Sequence, residues 1–129
     1  MPRPASSTPT EGELDILQLL WQRGPSTVRQ LYNALKDKRG TGYSTTLKMV
    51  QVMTEKGLLL KDESVRPQVF CPSESQAETQ LALVDNLILR GFGGSAMELV
   101  LRAATAKRIT PEELTRIKRL IEKAKGGRR

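Results

Sequence analysis

Histidine is absent from this chain, and cysteine occurs once, at Cys71. Those two shortages exclude disulfide frameworks, zinc fingers and every mechanism in which an imidazole moves a proton or binds a metal. An enzyme working with carboxylates alone is the remaining catalytic option. No Asp or Glu pair sits in an apolar setting that would tune it, so no catalytic residue, metal ligand or cofactor is assigned. Aromatic residues make up only 4% and hydrophobic residues 38% of 129 positions. Neither half is then expected to own a large core, and burial shared with a second chain is expected instead. No stretch is apolar for long enough to span a membrane, and the opening MPRPASSTPT has no apolar leader. With one unpaired thiol, placed in an ordinary strand, the chain reads as cytoplasmic.

What is present is positive charge and punctuation. The net charge is +7, and both halves of the chain are positive. That suits a polyanionic partner without locating it. The stretch around which the rest is organised is Gly42–Gly57, GYSTTLKMVQVMTEKG. Ser44 or Thr45 is expected to cap a helix there, and Gly57 to stop it. Thr46, Met49, Val50 and Met53 repeat at helical spacing and form the buried face. The opposite face carries Ser44, Thr45, Lys48, Gln51, Val52 and Glu55, which is small, hydrogen-bonding and lightly charged. Taken alone this is an ordinary amphipathic helix with a solvated side; its neighbours give it another meaning.

Residues 1–9 are rich in Pro, Ser and Thr and are expected to be disordered. Thr10, with Glu13 three residues on, makes a capping box for a helix that Gly24-Pro25 ends. Leu14, Leu17, Leu20 and Trp21 form its stripe, widened by Ile16. Thr27 with Gln30 opens a second helix, with Val28, Leu31 and Leu35 inward and Tyr32 at the margin of that face. Two short helices, a brief link and a third helix with a small polar face make a helix-turn-helix. Leu58–Lys61 and Gln68–Cys71 read as strands joined by a turn over 62–67. Three helices and a hairpin make a winged helix over 10–72, with Lys61 and Arg66 on the wing near phosphates or a minor groove.

Pro72-Ser73 begins a second composition, a helical region over 73–125 followed by a frayed basic tail at 126–129. Its first helix covers 76–90, with Leu81, Val84, Leu87 and Ile88 at helical spacing. Ser95 with Glu98 opens the next, in which Met97–Ala104 is apolar almost all round. Thr110-Pro111-Glu112-Glu113 caps the last. Three such helices cannot enclose Met97–Ala104 alone, so a dimer interface is its expected place, with a groove for another protein as the rival. The residues assigned to it are Leu87, Ile88, Phe92, Met97, Val100, Leu101, Leu114, Ile117, Leu120 and Ile121. Val84, on the same stripe, is given no interface role.

From about Thr8 to Lys125 the chain resembles the penicillinase-repressor family, the BlaI/MecI-type winged-helix repressors. The resemblance rests on TEGELDILQLLWQRGPSTVRQLYNAL, GYSTTLKMVQVMTEKGLL, LVDNLILRGFGGSAMELVL and ITPEELTRIKRLIEK, in that order and spacing. It implies a homodimeric bacterial repressor whose winged helix reads a double-stranded palindromic operator with half-sites related to TACA/TGTA. It also implies release through a membrane metalloprotease sensor that leads to a cut in the dimerisation region. Carried over, the groove-reading positions are Ser44, Thr45, Leu47, Lys48 and Val52, to which the polar face adds Gln51. Leu47 and Val52 stand where well-known members carry arginine. Arg102 and Ala103 occupy the places of the asparagine and phenylalanine that flank the cut. The copper-responsive relatives carry a cysteine-rich metal site that a chain with one cysteine cannot copy. A second reading, from a different class, is a winged-helix protein–protein adaptor without specific DNA binding. A salt-dependent, sequence-preferring shift of DNA separates the two.

Overall fold

The computed structural model describes residues 8–127. The disorder expected over 1–9 therefore falls, up to residue 7, outside the described residues, as does the tail beyond residue 127. The chain is mainly helical with one two-stranded hairpin, the expected winged helix followed by three further helices.

The first two helices start where their caps predict. Helix α1 (Glu11–Arg23) opens on Thr10, whose hydroxyl accepts from the Glu13 amide while the Glu13 carboxylate accepts from the Thr10 amide. Helix α2 (Val28–Arg39) repeats the device with Thr27 and Gln30. Gly24 and Gly40 end the two helices at φ 88° and 67°, a left-handed region that only glycine enters without strain.

Helix α3 (Tyr43–Glu55) departs from expectation at its start. Its N-cap is Gly42, with no side-chain cap, and Ser44 and Thr45 lie inside the first turn. The reason is Thr46, which must reach the core. It is 1% exposed, and its hydroxyl and amide both donate to the Gly42 carbonyl, at 3.4 and 3.2 Å. At the other end the amides of Gly57 and Leu58 donate to the carbonyls of Thr54 and Met53. Gly57 is left-handed and both Leu58 and Met53 are buried, which is a Schellman closure.

Because Leu58 is taken by that closure, the strands run one residue later than the sequence suggests. Strand β1 is Leu59–Asp62 and β2 is Val69–Pro72, antiparallel, with Leu59 opposite Pro72 and Asp62 opposite Val69. Ser26 exchanges two backbone hydrogen bonds with Phe70, at 3.1 and 2.8 Å, and so pins the hairpin to the α1–α2 link. Ile16, Leu17, Leu20, Leu31, Leu35, Val50, Met53, Leu59 and Phe70 make one shared core.

Two ion-pair groups tie the helices together. Glu13 is 6% exposed, and Lys56 Nζ donates to its two carboxylate oxygens at 3.0 and 2.9 Å. This fastens the end of α3 to the first turn of α1. Lys56→Met strands that carboxylate with only its amide donor, and is expected to lower unfolding free energy by about 2 kcal/mol. An unchanged denaturation midpoint would show that the pair contributes nothing net.

Asp15 accepts from Arg39 Nε at 2.6 Å and Lys38 Nζ at 3.1 Å. The hydrogen bond from Arg39 is the largest influence holding its carboxyl below the ordinary 3.8. A lowered folded-state pKa gives stability that is present above the unfolded value and lost as pH falls through the lowered one. Asp15→Asn should therefore be less stable than the native chain at neutral pH. The gap should close only below pH 3.8. Urea titrations at neutral and acid pH check this, and a gap that persists in acid refutes it.

Helix α4 (Gln76–Gly91) opens on a capping box that the sequence reading overlooked, Ser75 with Glu78. The Trp21 indole N–H donates to the Glu74 carbonyl at 3.4 Å, and Thr79 is buried. The chain divides into two compact units inside α4, the first ending at Leu83 and the second beginning at Val84. In the second, α5 (Ala96–Thr105) is capped by Ser95, which accepts from the Glu98 amide. Its capping box is half made, because the Glu98 carboxylate turns to Arg102 instead. Helix α6 (Pro111–Gly127) has the complete Thr110–Glu113 box and continues through Gly126, where a frayed tail was expected.

Candidate nucleic-acid interface

Helix α3 is held by Thr46, Val50 and Met53, and that anchoring decides which side chains face outward. Each residue advances about 100° around a helix, so Ser44, Lys48 and Gln51 share a stripe opposite the anchors, with Thr45 beside it. All four are exposed. Leu47 and Val52, named with them from the sequence, are half-buried, and Leu47 packs against the core. Lys48 is the sole cation within α3. The other lysine nearby, Lys56, is committed to Glu13.

A groove of about 680 Å³ runs between α3, the start of α2 and the wing. Leu47 and Gln51 line it on the helix side, and Lys61 and Arg66 on the hairpin side. Four sequence-assigned residues thus meet around one space. Ser44, Thr45, Lys48 and Val52 do not line it. The wing is less cationic than its two basic residues suggest. Lys61 is paired with Glu63 at 3.3 Å, and the hydroxyl and amide of Ser64 hold the Asp62 carboxyl below its ordinary range.

The groove also holds residues that the sequence reading missed. Arg29 and Tyr43 line it, and the Arg29 guanidinium lies 4.3 Å from the centre of the Tyr43 ring. Tyr32 meets Tyr43 edge-on at 5.7 Å. The signal lay partly in the sequence, since Arg29 and Tyr32 are three apart on one helix and therefore share a face. The contact to Tyr43 required the fold.

In the second unit no residue of α5 is buried within the chain, and Met97 is 71% exposed. Leu87, Val100, Leu101, Leu114, Leu120 and Ile121 are also exposed, while Ile88, Phe92 and Ile117 are half-buried. Arg102 and Ala103 lie inside α5, with Arg102 3.8 Å from Glu98. Among the described residues no group suited to a metal ion is found, and no helix is long and apolar enough to cross a membrane.

A helix-turn-helix with a wing and a small polar face on its third helix defines a winged-helix regulator. The model of the penicillinase repressor family matches residues 9–123, and the chain belongs to that family. Two curated relatives, both named transcriptional regulator BlaI, come from Mycobacterium tuberculosis strains CDC 1551 and H37Rv. Each is 27% identical over 120 residues, covering 90% of this chain and 86% of the relative. The protein is a transcriptional regulator of the penicillinase-repressor type and not an enzyme.

Proposed function

We propose that this regulator is a cytoplasmic homodimeric repressor that reads a palindromic operator through α3. Half-sites related to TACA/TGTA are its targets, by the family resemblance. Ser44, Thr45, Lys48 and Gln51 make the base-facing stripe, while Lys61 and Arg66 reach the backbone from the wing. The observation that carries this reading is the exposure of that stripe on a helix whose other side is locked into the core. Leu47 and Val52, lacking the arginine forks of better-known members, offer only apolar contacts, such as those that favour a thymine methyl. The operator should differ accordingly.

Residues 10–72 would then be the DNA-binding part and 73–125 the dimerisation part, with the interface on the apolar faces from Leu87 to Ile121. Their exposure in a single chain supports a second copy as their cover. A membrane metalloprotease sensor would end repression by provoking a cut in this region. The Arg102–Ala103 bond is helical, so cleavage there requires α5 to unwind first.

Lys48→Ala tests the reading. It should weaken binding to a palindromic TACA/TGTA duplex by roughly 1–3 kcal/mol, the scale of one good contact, with an unchanged melting temperature. Wild-type affinity for the mutant would remove α3 as the reader. Absence of any salt-dependent shift by the native protein would favour the adaptor reading instead.

A further inference from the structure

The cations of the first unit are spent in different ways. Lys38 and Arg39 are held by Asp15, Lys56 by Glu13, and Lys61 by Glu63. Arg29 makes no ion pair among the described residues, yet it is not loose. Its guanidinium lies over the Tyr43 ring at 4.3 Å and 5.7 Å from the centre of Tyr32. The two rings are fixed against each other at an interplanar angle of 76°. This hold differs from an ion pair in what it consumes. A carboxylate takes up the N–H donors of a guanidinium. A ring offers no carboxylate oxygen to those donors, and among the described residues no side-chain hydrogen bond from Arg29 is found. Arg29 is therefore oriented without being satisfied, and it stands exposed on the lip of the groove that Arg66 borders from the wing.

A planar fork of free donors matches a planar or tetrahedral oxyanion that can take two of them at once. This rests on the function proposed above: with the α3 stripe laid on base edges of DNA, the oxyanion within reach of this lip is a backbone phosphate. We infer that Arg29 is a DNA-phosphate contact held in position by Tyr43, and that Tyr43 is a positioning residue for it. The pair supplies backbone attraction that α3, with Lys48 as its sole cation, does not carry itself. Pre-orientation matters because an arginine otherwise loses much rotamer freedom on meeting a phosphate.

A phosphate contact carries no sequence information, so the test uses two duplexes of equal length, a TACA/TGTA palindrome and a mixed sequence. Binding is followed by fluorescence anisotropy over a salt series, with melting temperatures recorded for each variant. Arg29→Gln should weaken binding to both duplexes by the same factor, roughly three- to tenfold per bound protomer, and reduce the salt slope by about 0.9 per protomer. Arg29→Lys should restore the slope but not the full affinity. Tyr43→Phe, which keeps the ring, should match the native protein. Tyr43→Ala should lose affinity severalfold while keeping the slope, since the charge remains and only its placement is lost. Unchanged binding of Arg29→Gln at every salt would overturn the inference and leave the stack as a tie between α2 and α3. A loss confined to the palindrome would overturn it as well, because that is the mark of a base contact. Should Lys48→Ala lose operator binding while Arg29→Gln does not, this inference alone fails. Native protein that binds neither duplex would sink it together with the function it rests on.

Discussion

Cutting the chain after Leu83 is expected to lower its affinity for a palindromic operator by roughly a hundredfold or more, without unfolding what remains. The remaining unit keeps all of its own core, from Ile16 to Phe70, together with the Trp21–Glu74 hydrogen bond and buried Thr79. What it loses is the tether. A winged helix with one cation on its reading helix makes few contacts, so a single copy holds DNA weakly. When two copies are joined, the second half-site is met at high effective concentration and affinity multiplies without any new contact. The expected cut follows the compact unit and spares the first turns of α4, which a boundary at Pro72 would remove. Titration of both forms on one palindrome at the same salt checks it. Equal affinity would mean that dimerisation does not hold the protein on DNA, and release by proteolysis would lose its physical basis.

Leu101→Glu should convert the full chain to a monomer and carry the same loss of operator affinity. Leu101 is 43% exposed in the single chain, on a helix with no buried residue of its own. Under the proposed assembly a second copy covers it. An unpaired carboxylate held in such an interface costs several kcal/mol. Sedimentation gives the mass, and titration gives the affinity. A native protein that sediments as a monomer ends the idea, and so does a mutant that remains dimeric at the native affinity. Agreement between this mutant and the truncated chain matters most, because one removes the tether and the other only breaks it.

The resemblance to the penicillinase repressors was legible from four stretches in order, and family membership bears it out over residues 9–123. The reading face was legible in part. Ser44, Thr45, Lys48 and Gln51 project as the helical period requires, but Leu47 and Val52 are drawn back toward the body. Their position depends on how α3 seats against α2 and the hairpin, which helical period alone does not determine.

By itself the sequence determined whatever is written within a few residues. Thr10 with Glu13, Thr27 with Gln30 and Thr110 with Glu113 place their helices because cap and capped amide lie within one turn. The glycines that close α1, α2 and α3 act on the same local scale. Only the tertiary structure decided the features whose partners are far apart in the chain. Thr46 is drawn into the core and moves the start of α3 to Tyr43, and the Ser26–Phe70 bridge pins the hairpin. Glu13 waits for Lys56, 43 residues away, and Arg29 for a ring on the next helix. A local pattern specifies an element because its energy is local. The burial of Glu13 and the stacking of Arg29 are favourable only once the chain has brought both partners together.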